Sequence, residues 1–355
     1  MYFCKIGSIP NGFYVDEAAV AYNAYSIEQT GKDIFDQSYP ILFRLLGSYT
    51  PPLFIYVSAA FIHFIGSDPY VFRIISGISA LISIVFFYLT VRKLNIYRES
   101  KTALIITFFY AISPWLVFNA RLGYEVTLGY AIFNMGFYFM LLAIEKPINL
   151  IWGLTILSLS TYASHTQRYL VPIFLLFYFL ILKREVINTK NLKLLVFSFL
   201  AALIIQIPNL TVINTRAFWV KNARLTEQST KNIITNIVNQ TFSYLSPKSL
   251  FYELPDIDMQ HTIPDISVMP NFLVIPYLIG IYLMFRRVRE KKILLLLMLF
   301  FVTLIPAILS GEFISIQRAL PFLLPLGIVI GLGIDYIIIK LDRRFFFVIF
   351  VVFSS

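Results

Sequence analysis

Charge is scarce in this chain. Only 14% of its 355 residues are Asp, Glu, Lys or Arg, against 58% hydrophobic and 17% aromatic residues. An ordinary soluble domain carries about 25% charged residues, so a soluble globular fold is excluded. Cysteine is nearly absent: Cys4 alone provides neither a disulfide framework nor a thiolate metal set. The three histidines, His63, His165 and His261, stand far apart and form no HExxH or comparable ligand spacing. No alternating strand pattern competes with the apolar runs. The chain is therefore expected to be all-α.

What is present is length in apolar stretches. Runs of about 17 to 25 residues, each able to cross roughly 30 Å of hydrocarbon as helix, recur throughout. The spans read from the sequence are 70–91, 102–118, 126–145, 148–164, 169–182, 194–212, 270–285, 293–309 and 318–339. The shorter ones fit a tilted bundle or a thinner bilayer.

The net charge of +10 raises the question of nucleic acid, but its distribution answers differently. Basic residues crowd alternate connections: Arg92, Lys93, Arg98 and Lys101; Lys146; Lys183, Arg184, Lys190 and Lys193; Arg286, Arg287, Arg289, Lys291 and Lys292; Lys340, Arg343 and Arg344. By the positive-inside bias these loops are cytoplasmic, and no nucleic-acid partner is expected. The other connections hold most of the acids and belong to the external face.

This alternation holds only if 51–65 does not cross. It is apolar but about fifteen residues long, roughly 22 Å as helix. An interfacial helix opened by Pro51-Pro52 is expected there. The resulting division is an external first loop with juxtamembrane helices over 1–69, a transmembrane bundle over 70–212, an external loop over 213–269 and C-terminal transmembrane helices over 270–355. Both ends read as cut, with a first span missing and the last one truncated, so about nine to ten spans are represented.

Against this background the acidic pair Asp16-Glu17 stands out, in Tyr14-Val15-Asp16-Glu17-Ala18-Ala19 before the first span. An acid pair held at a membrane surface suggests chemistry, although Asp16 is equally suited to cap a helix over 17–30. Companions lie on the same face. Asn119-Ala120-Arg121-Leu122-Gly123-Tyr124-Glu125 fills a very short external connection, where Arg121 and Glu125 serve either a site or each other as an ion pair. Ser164-His165-Thr166-Gln167-Arg168 fills the next one. Arg168 can snorkel there, yet a planar guanidinium also suits bidentate phosphate binding better than lysine does. Gln317-Arg318 opens the last complete span in the same layer. Within 213–269, Ser246-Pro247-Lys248-Ser249-Leu250-Phe251 leads to Glu253, Asp256, Asp258 and His261, which read first as a solvated acidic stretch.

The order of these features resembles a known group. An Asp-Glu pair is followed by an apolar helix headed by Pro-Pro, in Tyr49-Thr50-Pro51-Pro52-Leu53. Ser113-Pro114-Trp115 with Ala120-Arg121 and Glu125 comes next, then Thr161-Tyr162 with Arg168 and Val171-Pro172, then Ser246-Pro247 with Leu250-Phe251, then a late Arg before a Pro-rich span. This is similar to the C-type membrane glycosyltransferases of the protein O-mannosyltransferase and aminoarabinose-transferase superfamily.

The resemblance implies a helix bundle of that type in the cell membrane, with its active site on the external face. It implies a polyprenyl- or dolichyl-phosphate-linked sugar donor and a protein, lipid or glycan acceptor. By position, Asp16 and Glu17 are the catalytic pair and Glu125 the second acid. Arg121, Arg168, Arg318 and His165 are expected at the donor phosphate, and Tyr49, Asp256 and His261 at the acceptor or its loop. Many relatives have Lys before Pro-Pro where this chain has Thr50, which shifts the phosphate role onto the arginines. Carboxylates permit one divalent metal ion without requiring it. The rival expectations are a multispanning transporter and an inactive homologue of the same group.

Overall fold

The computed structural model of the chain describes residues 1–45, 48–186, 192–215, 230–252, 266–309 and 315–340. Among these the architecture is helical, with one short antiparallel hairpin.

The first helix, α1 (Val15–Thr30), ends at Gly31, whose φ of 70° lets its N–H return to the Ile27 carbonyl. Its buried positions include Val20, Ala24 and Ile27, spaced three and four apart, so they form one stripe. That stripe packs on α2 (Leu53–Ile65) through Phe54, Ile55, Ala59 and Ile62. Helix α2 has the short length and the position expected after Pro51-Pro52. Between the two lies a hairpin of β1 (Phe43–Leu45) and β2 (Ser48–Thr50), pairing Arg44 with Tyr49. The sequence reading had no strand here, because three-residue strands are too short to show an alternation.

The remaining helices are α3 (Pro69–Leu94), α4 (Thr102–Ala111), α5 (Pro114–Ala120), α6 (Glu125–Ala143), α7 (Asn149–Ser160), α8 (His165–Val186) and α9 (Leu192–Val212). After them come α10 (Thr230–Leu245), α11 (Pro247–Phe251), α12 (Val274–Arg286), α13 (Lys291–Val302), α14 (Ile305–Ile308), α15 (Ile316–Ala319) and α16 (Leu323–Lys340). Every segment read as a span is thus helical. Among the described residues, five stretches are long and apolar enough to cross a bilayer unaided: Tyr70–Leu94, Glu125–Ala143, Leu192–Val212, Lys291–Ile308 and Ile316–Lys340. Helices α4 and α5 make a sixth if counted as one span, bent by 50° where Pro114 interrupts the backbone ladder. Helix α7 and the Asn271–Arg286 stretch are apolar but shorter, and α8 contains Pro172 and a non-helical Leu182.

The chain forms two compact units. The first comprises Met1–Ser83, Val117–Pro172 and Val186–Glu227, and the second Ile84–Leu116, Ile173–Glu185 and Gln228–Ser355. In the first, α6 packs on α7 and α7 on α9, beside the α1–α2 pair. In the second, α16 is the central element, buried continuously from Leu323 to Asp335 and packed by α4, α12 and α13. Its approach to α12 depends on two glycines. A Cβ at Gly280 would overlap the Val329 carbonyl, and one at Gly333 would overlap that of Pro276. Small residues allow such close backbone contact between membrane helices.

Candidate active site

The acidic pair is split by the helix it sits on. Successive residues on a helix point about 100° apart, so α1 turns Glu17 inward and leaves Asp16 half-buried. Glu17 is fully buried, and its carboxylate is saturated. Oε1 accepts from Nε of Arg73 at 3.1 Å and from the Gly123 N–H; Oε2 accepts from Nη2 of Arg73 at 3.1 Å and the Tyr14 N–H at 2.9 Å. Tyr14, with extended backbone, is the N-cap residue of α1, which places Asp16 inside the first turn instead of at the cap.

Arg73, in the first turns of α3, is 1% exposed. Besides Glu17 it donates to the carbonyls of Ile6, Pro10 and Gly12, and its guanidinium lies 5.8 Å from the Phe13 ring centroid. One buried ion pair therefore ties together the N-terminal segment, α1, α3 and the loop before α6. Sequence reasoning missed Arg73. The signal available was a guanidinium inside a segment read as an almost uncharged span, and intramembrane ionisable residues are functional candidates by default.

Gly123 is the point of closest approach in that loop. A Cβ there would sit 2.6 Å from Cβ of Phe72 and 3.3 Å from Oε1 of Glu17. Arg121, two residues earlier, makes no ion pair with Glu125. Its Nη1 donates to the Met1 carbonyl at 2.7 Å, and its Nη2 to those of Cys4 and Ile9 at 2.9 and 2.8 Å. Among the described residues, Asp16 has no hydrogen-bonding partner.

Glu125 opens α6 and is buried. Its charge acts on Arg168 in the first turn of α8, which is also buried. Loss of hydration pulls the Arg168 guanidinium down to about 10, with Tyr169, Glu125 and Tyr162 opposing the shift, so it remains a cation at neutral pH. Arg168 is fixed to the end of α7, since its Nε donates to the Thr161 carbonyl at 3.2 Å.

His165 lies between Arg168 and the hairpin. Its Nε2 is 2.7 Å from the Tyr49 carbonyl, an acceptor only, so Nε2 carries the proton. Nδ1, 3.3 Å from Nη1 of Arg168, then accepts. The imidazole is neutral in this arrangement and orients the arginine. The Leu53 N–H donates to the Tyr162 carbonyl at 2.9 Å, fastening the head of α2 to the same turn. Tyr49 therefore enters this cluster through its backbone, and Thr50 beside it is buried.

Three expected site residues remain. Arg318 is on α15, in the second unit. Asp256 and His261, with Glu253 and Asp258, fall outside the described residues. Among the described residues no three His, Cys, Asp or Glu side chains gather in a way that could hold a metal ion.

Comparison with known proteins gives a coherent result. Residues 49–211 match the family described as dolichyl-phosphate-mannose-protein mannosyltransferase. None of the curated proteins compared matches the chain. Among solved structures, ArnT from Cupriavidus metallidurans bound to undecaprenyl phosphate superposes with a TM-score of 0.61 at 14% identity, covering 96% of this chain and 58% of that one. The Archaeoglobus fulgidus oligosaccharyltransferase in complex with zinc and sulfate gives 0.62 at 14% identity, covering 97% and 48%. AglB from Archaeoglobus fulgidus, with an inhibitory peptide and a dolichol-phosphate, gives 0.59 at 15% identity, covering 93% and 47%. The chain thus spans between 47% and 58% of the length of these structures. In fold throughout, and in sequence over residues 49–211, the chain resembles the C-type membrane glycosyltransferases, as its ordered motifs imply.

Proposed function

We propose that the protein is a membrane glycosyltransferase that moves a sugar from a polyprenyl- or dolichyl-phosphate carrier to an acceptor hydroxyl or amide on the external face of the cell membrane. The observation that carries this reading is the division of labour in the acidic pair. Glu17 is consumed by Arg73, Gly123 and Tyr14, while Asp16, on the adjacent residue of the same rigid turn, keeps a half-exposed carboxylate.

In the proposed reaction the acceptor O–H or N–H attacks the anomeric carbon as the bond from that carbon to the phosphate oxygen breaks. The bonding pair leaves with the lipid phosphate, and the acceptor proton passes to Asp16. A direct displacement of this kind inverts the anomeric centre. A placed carboxylate base contributes about 10²–10⁴ in rate. Negative charge grows on the departing phosphate, and a preorganised, desolvated guanidinium is suited to stabilise it. Arg168, held by Thr161 and His165, fits that role. Arg121 is assigned here to holding the N-terminal segment, since its donors already serve backbone carbonyls. Glu17 and Arg73 are positioning residues.

The family matched over 49–211 and the undecaprenyl-phosphate and dolichol-phosphate complexes of the structural relatives support a lipid-linked donor. What favours an enzyme over a transporter is that two ionisable groups buried on helices read as spans have fixed partners. Arg73 is held by Glu17, and Asp335 by the Arg98 and Glu99 amides and the Thr102 hydroxyl.

The test is transfer from radiolabelled undecaprenyl- and dolichyl-phosphate mannose, glucose and aminoarabinose by the full chain in proteoliposomes. Release of lipid phosphate coupled to labelled product supports the reading. A folded, inserted protein that consumes none of these donors would contradict it.

A further inference from the structure

The second unit contains a cavity that the transfer reaction does not use. It lies at the end of the α12–α16 pair opposite Leu323, has a volume of about 370 Å³, and is floored by Leu283, Leu332 and Ile339. Arg98, Arg286, Arg287 and Lys340 surround it, with Tyr336 at its side and the acids Glu290 and Asp335 also lining it.

Both acids are spoken for. Glu290 is held by Arg287 through two bonds of 2.8 Å, Nε to Oε1 and Nη2 to Oε2, which neutralises that arginine as well. Asp335, buried on α16, accepts from the Arg98 and Glu99 amides and from Oγ1 of Thr102, at 2.9 to 3.1 Å. The loop that carries Arg98 is therefore docked on α16, and Tyr97 adds a hydroxyl bond of 2.9 Å to the Ile328 carbonyl. Among the described residues, the side chains of Arg98, Arg286 and Lys340 meet no acid or carbonyl. Three cations thus converge on an ordered cavity with an apolar floor.

From this geometry we infer that the cavity is a binding site for the phosphate headgroup of an anionic phospholipid. The headgroup phosphodiester sits among Arg98, Arg286 and Lys340, and the start of the acyl region lies along Leu283, Tyr336 and Ile339. The chemistry follows from the parts. A guanidinium pairs with phosphate oxygens in a bidentate manner, basic pockets between membrane helices on the cytoplasmic side take anionic headgroups, and an exposed tyrosine belongs at the lipid–water boundary. A general excess of basic residues in cytoplasmic loops would attract anionic lipid without selecting these three positions.

The experiment measures lipid retained by the full chain after purification from vesicles of phosphatidylcholine with one part in five phosphatidylglycerol. It compares wild type with the triple variant Arg98→Gln, Arg286→Gln, Lys340→Gln. A second triple variant, Arg92→Gln, Lys101→Gln, Arg289→Gln, removes equal charge from basic positions of the second unit that do not line the cavity. The expected result is enrichment of phosphatidylglycerol in the wild type, a fall of about tenfold or more in the cavity variant and less than a twofold change in the control. Equal losses in both variants, or none in either, would overturn the inference. Inorganic phosphate and glycerol phosphate form a competition arm. Failure of both to displace the lipid at millimolar concentration supports a headgroup held together with its chains, and displacement by either would assign the cavity to a free phosphate.

Discussion

Glu17 and Arg73, 56 residues apart in sequence, meet fully buried with both carboxylate oxygens 3.1 Å from guanidinium nitrogens. Breaking a buried pair leaves an uncompensated charge and costs about 3–5 kcal/mol, whereas removing both partners costs much less. Arg73→Met should therefore be strongly destabilised in thermal unfolding, and Arg73→Met with Glu17→Met should recover a large part of the loss. Additive effects of the two changes would show that the pair does not act as a unit.

His165 should behave as a positioning residue. Replacing it with Phe removes a buried donor to the Tyr49 carbonyl and the acceptor that orients Arg168, a stability loss of about 1–3 kcal/mol. In steady-state kinetics the KM for the lipid-linked donor should rise about tenfold or more, with the optimum pH unmoved. A shifted pH optimum would instead indicate that His165 carries the reaction's proton.

Arg168→Lys should not restore function. Lysine keeps the charge but loses the planar fork that holds Thr161 and His165 together. The loss in kcat expected for removing such a stabilising donor is about 10²–10³, measured with donor at saturation. Near-wild-type turnover of the lysine variant would mean that charge alone suffices.

Gly333→Ala should be more damaging than a methyl group implies, because its Cβ would overlap the Pro276 carbonyl on α12. Overpacking costs about 1–3 kcal/mol or more when backbone must move. The measurement is the midpoint of thermal aggregation in detergent, compared with Gly7→Ala, where the nearest neighbouring atom, Cβ of Tyr70, would lie at an ordinary 3.5 Å.

Much of this was legible beforehand, for physical reasons. Apolar run length marks membrane helices directly, and the segments read as spans are helical. The short helix after Pro51-Pro52 and the two polar connections carrying Glu125 and Arg168 were found because polar residues in so little loop must lie near the helix ends. Individual roles within those connections were not legible. Arg121 and Glu125 invited pairing by proximity, yet Arg121 reaches Met1, Cys4 and Ile9, a segment that hydropathy left without a role. Asp16 and Glu17 are equivalent as letters, and only the helical register separates a buried acid from an accessible one. Arg73 was hidden by the span around it, since its partners Glu17, Ile6, Pro10 and Gly12 come from a different stretch of chain. Asp335 was concealed in the same way at the end of α16.

The most direct test of the account is the initial rate of sugar transfer from undecaprenyl-phosphate mannose, or whichever donor of the panel is consumed, by wild type and Asp16→Asn in the same proteoliposomes. Asp16 is half-buried and has no hydrogen-bonding partner among the described residues, so the variant should fold and insert as the wild type does. The account predicts a fall in turnover of about 10²–10⁴ with unchanged thermal stability. Turnover within a factor of about three of wild type, a change worth well under 1 kcal/mol in the barrier, would contradict the assignment of Asp16 as the base.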